Sequence, residues 1–262
     1  MGDKLSDKST RTPEIDDYSY IMSNDGSVNG KVESQDIAVI PETTRTINFT
    51  SSQTAAQIQA DIDAVGKYLP IGVVVTFQFG NGTYSLDNII IFQGFYGGGQ
   101  INIYGDTSQT DGLHTNHNVH LDFTGSATNG IYCIHNSIRL VNIHHLKITA
   151  DDGFSCIALQ RECTYRAWYC YLISTAQTSG GTFGIRALDG ANVWLSNNYF
   201  SNNYYAIGSE LNAKVLSVNN DDTGTQPKWG LHSRQASTLG KNGTQPSGAT
   251  ADELESTGGE IR

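Results

Sequence analysis

The sequence predicts an all-β chain wound as a parallel β-helix, and three observations carry that prediction. Only 16% of the 262 residues are charged, below the roughly 25% of ordinary globular domains, while Gly numbers 28 and Tyr 13. From Val73 onward apolar residues alternate in short runs, punctuated by Asn81-Gly82, Gly97-Gly98-Gly99 and Gly105-Asp106. A unit of aromatic (once Ser), small and aliphatic residue then recurs. It ends at Ile134, Ile157, Ile185, Ile207 and Leu231, spaced 23, 28, 22 and 24 residues apart. A period of that size with two or three short strands matches one coil of a parallel β-helix, in which successive coils stack about 4.8 Å apart. A leucine-rich repeat would need an L-x-x-L-x-L signature that is missing. A β-sandwich would not need the repeat. The five aliphatic residues are expected to form one interior column.

Taken in order, residues 1–12 are polar and expected to be disordered. Residues 13–45 read as a hairpin module, with apolar stretches at 18–22 and 35–40 around Asp25-Gly26 and Asn29-Gly30 turn signals. It is too short to own a core, so it must dock on something else. Ile58, Ile62, Val65 and Leu69 share one helical face; Thr54 and Gln57 have capping-box spacing, and Pro70 follows. A helix over 54–69 is therefore predicted as a lid on the first coil of a β-helix domain spanning 46–245. Asn197-Asn198, Asn219-Asn220 and Asn242 recur near one phase of the repeat. Asn tolerates left-handed backbone at corners and can hydrogen-bond up a column. Residues 246–262 read as an acidic tail.

Lys and Arg total 16 against 26 Asp and Glu, a formal net charge of −10. That argues against nucleic acid or an anionic membrane as the main partner. No 18-residue apolar run is present, so no membrane insertion is expected. The first residues lack the apolar region of a secretory signal, and Gly2-Asp3 is a poor acylation context. Cys133, Cys156, Cys163 and Cys170 form no CxxC pair; they are expected to be reduced, mostly buried thiols rather than zinc ligands or disulfides.

The stretch Ala191–Ile207 resembles coils of the right-handed parallel β-helix of the pectin-lyase-like superfamily. The stretch 55–106 is similar to the start of the β-helix in phage and prophage tail-fibre and tailspike proteins, and residues 17–34 to the short hairpins by which such fibres join a virion. The similarity covers roughly residues 15–245. It implies a homotrimer attached through its N-terminus to a baseplate or tail protein, and contact with a host surface glycan that some members also cleave.

Cleavage in such spikes uses two carboxyl groups, about 5 Å or 6.5–9.5 Å apart according to stereochemical outcome. The candidate acids are Asp151 with Asp152, and Asp189 with Glu210 on adjacent coils. Asp151-Asp152 with Cys156-Ile157-Ala158 is similar to a polygalacturonase string, but Gly-Phe-Ser intervenes and no Gly-His-Gly or Arg-Ile-Lys companion follows. Both pairs also read as solvated corner acids. Across a turn, His114, His117 and His120 could gather round a metal or across a trimer axis, but a solvated loop is the favoured reading; no metal or cofactor is expected. His144 and His145 would point to opposite faces of an extended strand. The aromatic population of the last coils suits sugar stacking, with Trp194, Tyr199, Tyr204 and Trp229 as candidates, or core and trimer packing.

The expected function is recognition of a bacterial surface glycan by a tail fibre or tailspike component, without cleavage. The rivals are a glycan depolymerase on the same scaffold and a purely structural virion component. The expected location is a virion tail or phage-like particle, assembled in the host cytoplasm and released by lysis.

Overall fold

The computed structural model describes residues 42–108, 117–161 and 163–262, together with the backbone of Tyr20–Met22 and Val28–Lys31. The chain divides into two units, Met1–Ile40 and Pro41–Arg262. In the first, Tyr20–Met22 pairs antiparallel with Val28–Lys31. The returning strand thus begins at Val28, inside the stretch read as the turn. Residues 1–12 and 35–40 lie outside the described residues.

The second unit is a parallel β-solenoid. Each coil sends one strand to each of three sheets, as in Val74–Phe79, Gly82–Ser85 and Ile90–Gln93, before the next coil repeats the path from Gln100–Tyr104. The result is a nine-stranded, a six-stranded and a seven-stranded sheet, with parallel pairing throughout. Inward positions form stacked apolar columns. One of them, in the nine-stranded sheet, runs Val75, Ile101, Val141, Tyr165, Val193, Val215, Leu239.

The predicted column in the seven-stranded sheet exists with one correction. It runs Ile90, Ile131, Ile157, Ile185, Ile207, Leu231, all essentially fully buried. Ile134 is not a member; Ile131 takes its place, and Ile134 faces outward. The reason is steric. From Ile131 onward the residue before each column member is small (Gly130, Cys156, Gly184, Ala206, Gly230), and a Cβ at Gly130 would lie 2.5 Å from the Cys156 carbonyl oxygen. Gly130-Ile131 therefore aligns with Cys156-Ile157, whereas Cys133-Ile134 matches only by residue type.

The lid helix covers Ala55–Asp63, shorter than expected, and starts with the predicted Thr54–Gln57 capping box. Gly66 is a poor helix former, and its N–H donates to Glu42 Oε2 at 2.7 Å, which draws the chain out of the helix. Ile58, Ile62, Val65 and Leu69 are nevertheless all buried, so the apolar face outlasts the helix. The Asn column is also present. Asn198 accepts from Cys170 N–H at 3.0 Å, and Asn220 Oδ1 accepts from both the backbone and side chain of Asn198 at 2.9 Å, with both Asn residues buried. Beyond 245 the ladders continue rather than ending in a tail. Ala251–Ser256 joins the seven-stranded sheet and Glu260–Ile261 the nine-stranded one. All four cysteines are free and buried; burial pushes the thiols of Cys156 and Cys170 up to about 12.

Candidate functional site

One corner of the solenoid follows the seven-stranded sheet. His135, Arg161, Asp189, Leu211 with Asn212, Gln235 with Ala236, and Thr257 take left-handed backbone there, with φ between 47° and 71°. At the early end of this corner an open cleft of about 520 Å³ is lined by His135, Asn136, Ser137, Arg161 and Asp189. Its floor is pinned by Asn136, which accepts from Phe95 N–H at 3.1 Å and donates to the Phe92 carbonyl at 3.0 Å. Its Asp189 is held by a relay of side chains: Tyr132 donates to Gln160, and Gln160 donates to Asp189. Burial raises the Tyr132 phenol; the Asp189 charge adds to this and Arg161 and Arg186 oppose it.

Glu210 takes other partners than Asp189. It leaves the outer face of the sheet, yet its side chain is only 1% exposed because Arg186 and Arg234 fold over it. Oε2 accepts from Arg186 Nε at 3.2 Å and Nη2 at 2.8 Å, and from Arg234 Nη2 at 2.8 Å. Oε1 faces His232 Nδ1 at 4.0 Å. Burial lowers the His232 imidazole to about 4; Glu210 works against that drop, while Arg234 and Arg186 add to it. The His232 ring stacks on Tyr205 at 4.2 Å, and Tyr205 on Phe183 at 4.8 Å. Gly208 makes room, since a Cβ there would meet the Phe183 ring at 2.3 Å. The two expected partner acids therefore take different partners, Asp189 an amide and Glu210 two guanidinium groups.

Asp151 and Asp152 staple a different corner. Asp151 Oδ2 accepts from the N–H of Gly125 at 2.8 Å and of Ala127 at 3.2 Å. Asp152 Oδ1 accepts from Thr182 Oγ1 at 2.6 Å, Ser179 N–H at 3.1 Å and Thr178 N–H at 3.2 Å. Desolvation works against the Asp152 charge, but the hydrogen bonds from Thr178, Thr182 and Ser179 outweigh it and hold the carboxyl below its usual range. The two adjacent acids reach to different coils, one back and one forward.

The four candidate aromatics do not form one patch. Trp194 lies on the outer face of the nine-stranded sheet, 47% exposed, with the Arg166 guanidinium 5.1 Å from its ring; a small hollow there is lined by Arg166, Trp168, Trp194 and Ser196. Tyr199 belongs to the six-stranded sheet, in register with Tyr171 and Asp221. Tyr204 sits under Lys228, whose Nζ is 4.2 Å from the ring, and Trp229 pairs in register with Tyr205.

Of the histidines, His114 lies outside the described residues. His117 is buried, and His120 Nε2 is 2.8 Å from Thr149 Oγ1. His144 and His145 do not diverge: their Nδ1 atoms are 2.7 Å apart. His145 has φ 58°, so the alternation of an extended strand stops there. The His144 ring also lies between Tyr104, at 3.5 Å, and Trp168, at 5.6 Å. Burial lowers His144 to about 3, and the neighbouring His145 adds to the effect. Among the described residues no three His, Cys, Asp or Glu side chains converge where they could hold a metal ion, and no helix is long and apolar enough to cross a membrane.

The outward Arg186, Glu210, His232 and Arg234 group was not foreseen as a unit. Its only sequence signal is recurrence of charged or polar residues one and three places after the column aliphatic, as in Ile185-Arg186, Ile207-Gly-Ser-Glu210 and Leu231-His232-Ser-Arg234. No family model, no curated protein and no solved structure matches the chain.

Proposed function

We propose that this chain is the host-attachment protein of a phage or phage-like tail, a trimeric fibre or tailspike component that binds a bacterial surface glycan without cleaving it. The observation that carries this reading is the open corner cleft lined by His135, Asn136, Ser137, Arg161 and Asp189. Its lining is rich in hydrogen-bonding groups held on rigid coil corners, which suits the hydroxyls of a sugar. A depolymerase needs a proton-donating carboxyl beside an ionised one. Asp189 is taken up by Gln160, Glu210 by two arginines, and Asp151 and Asp152 by the turns they staple. In this reading residues 13–40 join the tail, and the particle is assembled in the host cytoplasm and released by lysis.

The test is a glycan array of bacterial surface polysaccharides probed with the full chain, followed by assays of each bound glycan for new reducing ends or unsaturated products. Saturable binding without new ends, weakened by Arg161→Ala, supports the reading. Cleavage that disappears in Asp189→Asn or Glu210→Gln installs the depolymerase instead. A chain that binds no glycan and still assembles into tails is a structural component.

A further inference from the structure

We propose that Arg186 and Arg234 form a subsite for a carboxylate-bearing sugar of the bound glycan; this rests on the glycan-binding reading above and specifies the chemistry of the ligand. One carboxylate oxygen, Glu210 Oε2, lies 2.8 Å from Nη2 of both arginines and so holds the two guanidinium groups side by side. Glu210 is buried, but Arg186 is 30% and Arg234 36% exposed. The acid is the hidden anchor and the arginines are the surface. One acid offsets one of two cations, so the cluster presents a net positive charge on a chain whose net charge is −10. Each guanidinium has five N–H donors, and the Nη1 groups of both make no hydrogen bond among the described residues. Planar forks with spare donors match a carboxylate two bonds at a time.

The surroundings hold the arginines in place. Arg186 lies 5.0 Å from the buried ring of Phe183, which begins the stack through Tyr205 to the buried His232. The cleft lies on the same side of the sheet. Tyr132 stands in the same outward column as Arg186, with Ala158 between them, and its hydroxyl starts the relay through Gln160 to Asp189 at the cleft. A chain of sugars lying along this corner meets the mixed polar lining of the cleft, Arg161 and Asp189 among it, and the paired arginines further along the solenoid. Glu210 is a positioning residue here, acting through the arginines.

The experiment titrates the full chain with hexuronate- and sialate-containing oligosaccharides, each beside its carboxyl-reduced counterpart, and with inorganic phosphate as competitor. The acidic forms are expected to bind at least about tenfold more tightly than the reduced ones. Arg186→Gln and Arg234→Gln should each remove most of that difference while leaving the affinity for reduced forms in place. Should the Gln variants fail to fold, Arg186→Lys and Arg234→Lys keep a charge over Glu210 and should still lose the preference, because an ammonium cannot form the fork. Glu210→Gln should weaken acidic-glycan binding more than it weakens phosphate competition, since phosphate needs charge more than alignment. Equal binding of acidic and reduced forms, an acidic preference untouched in the Arg variants, or phosphate competing as well as the acidic sugars would overturn the subsite. Neutral glycans binding at the cleft would in that case leave the recognition function standing; failure of every glycan overturns both.

Discussion

The Gln59 side chain pairs with the backbone of Ile91 as a neighbouring strand would: Nε2 donates to the Ile91 carbonyl at 2.9 Å and Oε1 accepts from the Ile91 N–H at 2.8 Å. Ile90–Gln93 is the first strand of the seven-stranded sheet, so its outer edge has no coil to pair with. An unpaired edge invites pairing with another chain. Gln59 closes it from the lid helix.

Gln59→Ala removes both bonds at once. The expected loss is about 1–3 kcal/mol, at about 1 kcal/mol per hydrogen bond plus the cost of stranding the strand's groups. Thermal unfolding should show a drop of several degrees. The variant should also aggregate faster when warmed below its midpoint, read by light scattering. An unchanged midpoint removes the edge-closing role.

The corrected interior column gives a paired comparison. Ile131→Ala empties space between Ile90 and Ile157 and should cost about 2–5 kcal/mol. Ile134→Ala trims an outward side chain and should cost far less. Chemical denaturation of the two variants checks the ranking, and equal losses would contradict the register. Ile185→Asp, at mid-column, should prevent folding altogether.

The pH dependence follows from His144. Its folded-state value is lowered from 6.5 to about 3 by burial and by His145. Between those values the unfolded chain binds the proton and the folded chain does not, so stability is full above about 6.5 and falls as pH drops toward 3. His144→Gln should flatten that decline, in part only, because His232 is lowered to about 4 and titrates in the same sense. Urea midpoints at pH 7, 5.5 and 4.5 for both proteins decide it. A variant with the wild-type slope would show that His144 is not the group responsible.

Assembly is tested by mass. Light scattering at micromolar concentration should give three chain masses, and deletion of residues 1–40 should keep the trimer while abolishing incorporation into tails. A monomeric mass contradicts the proposed assembly.

What the sequence by itself determined is whatever is local or periodic. The Thr54–Gln57 capping box, the buried face from Ile58 to Leu69, the Asn198–Asn220 column and the parallel coils depend on spacings within one turn of helix or one coil. Tertiary structure decided what depends on register and on broken alternation. Coils of unequal length shift the phase of the repeat, so residue type alone chose Ile134, while the close approach of Gly130 to Cys156 chose Ile131. Left-handed backbone at His145 brings together two rings that an extended strand would separate. The same corner geometry at Asp189 and Leu211 sends Asp189 to Gln160, whereas Glu210 turns to Arg186 and Arg234 from coils on either side. Which acid meets which partner is set by the stacking of coils 24 to 29 residues apart in the chain, a distance over which sequence spacing carries no direction for a side chain.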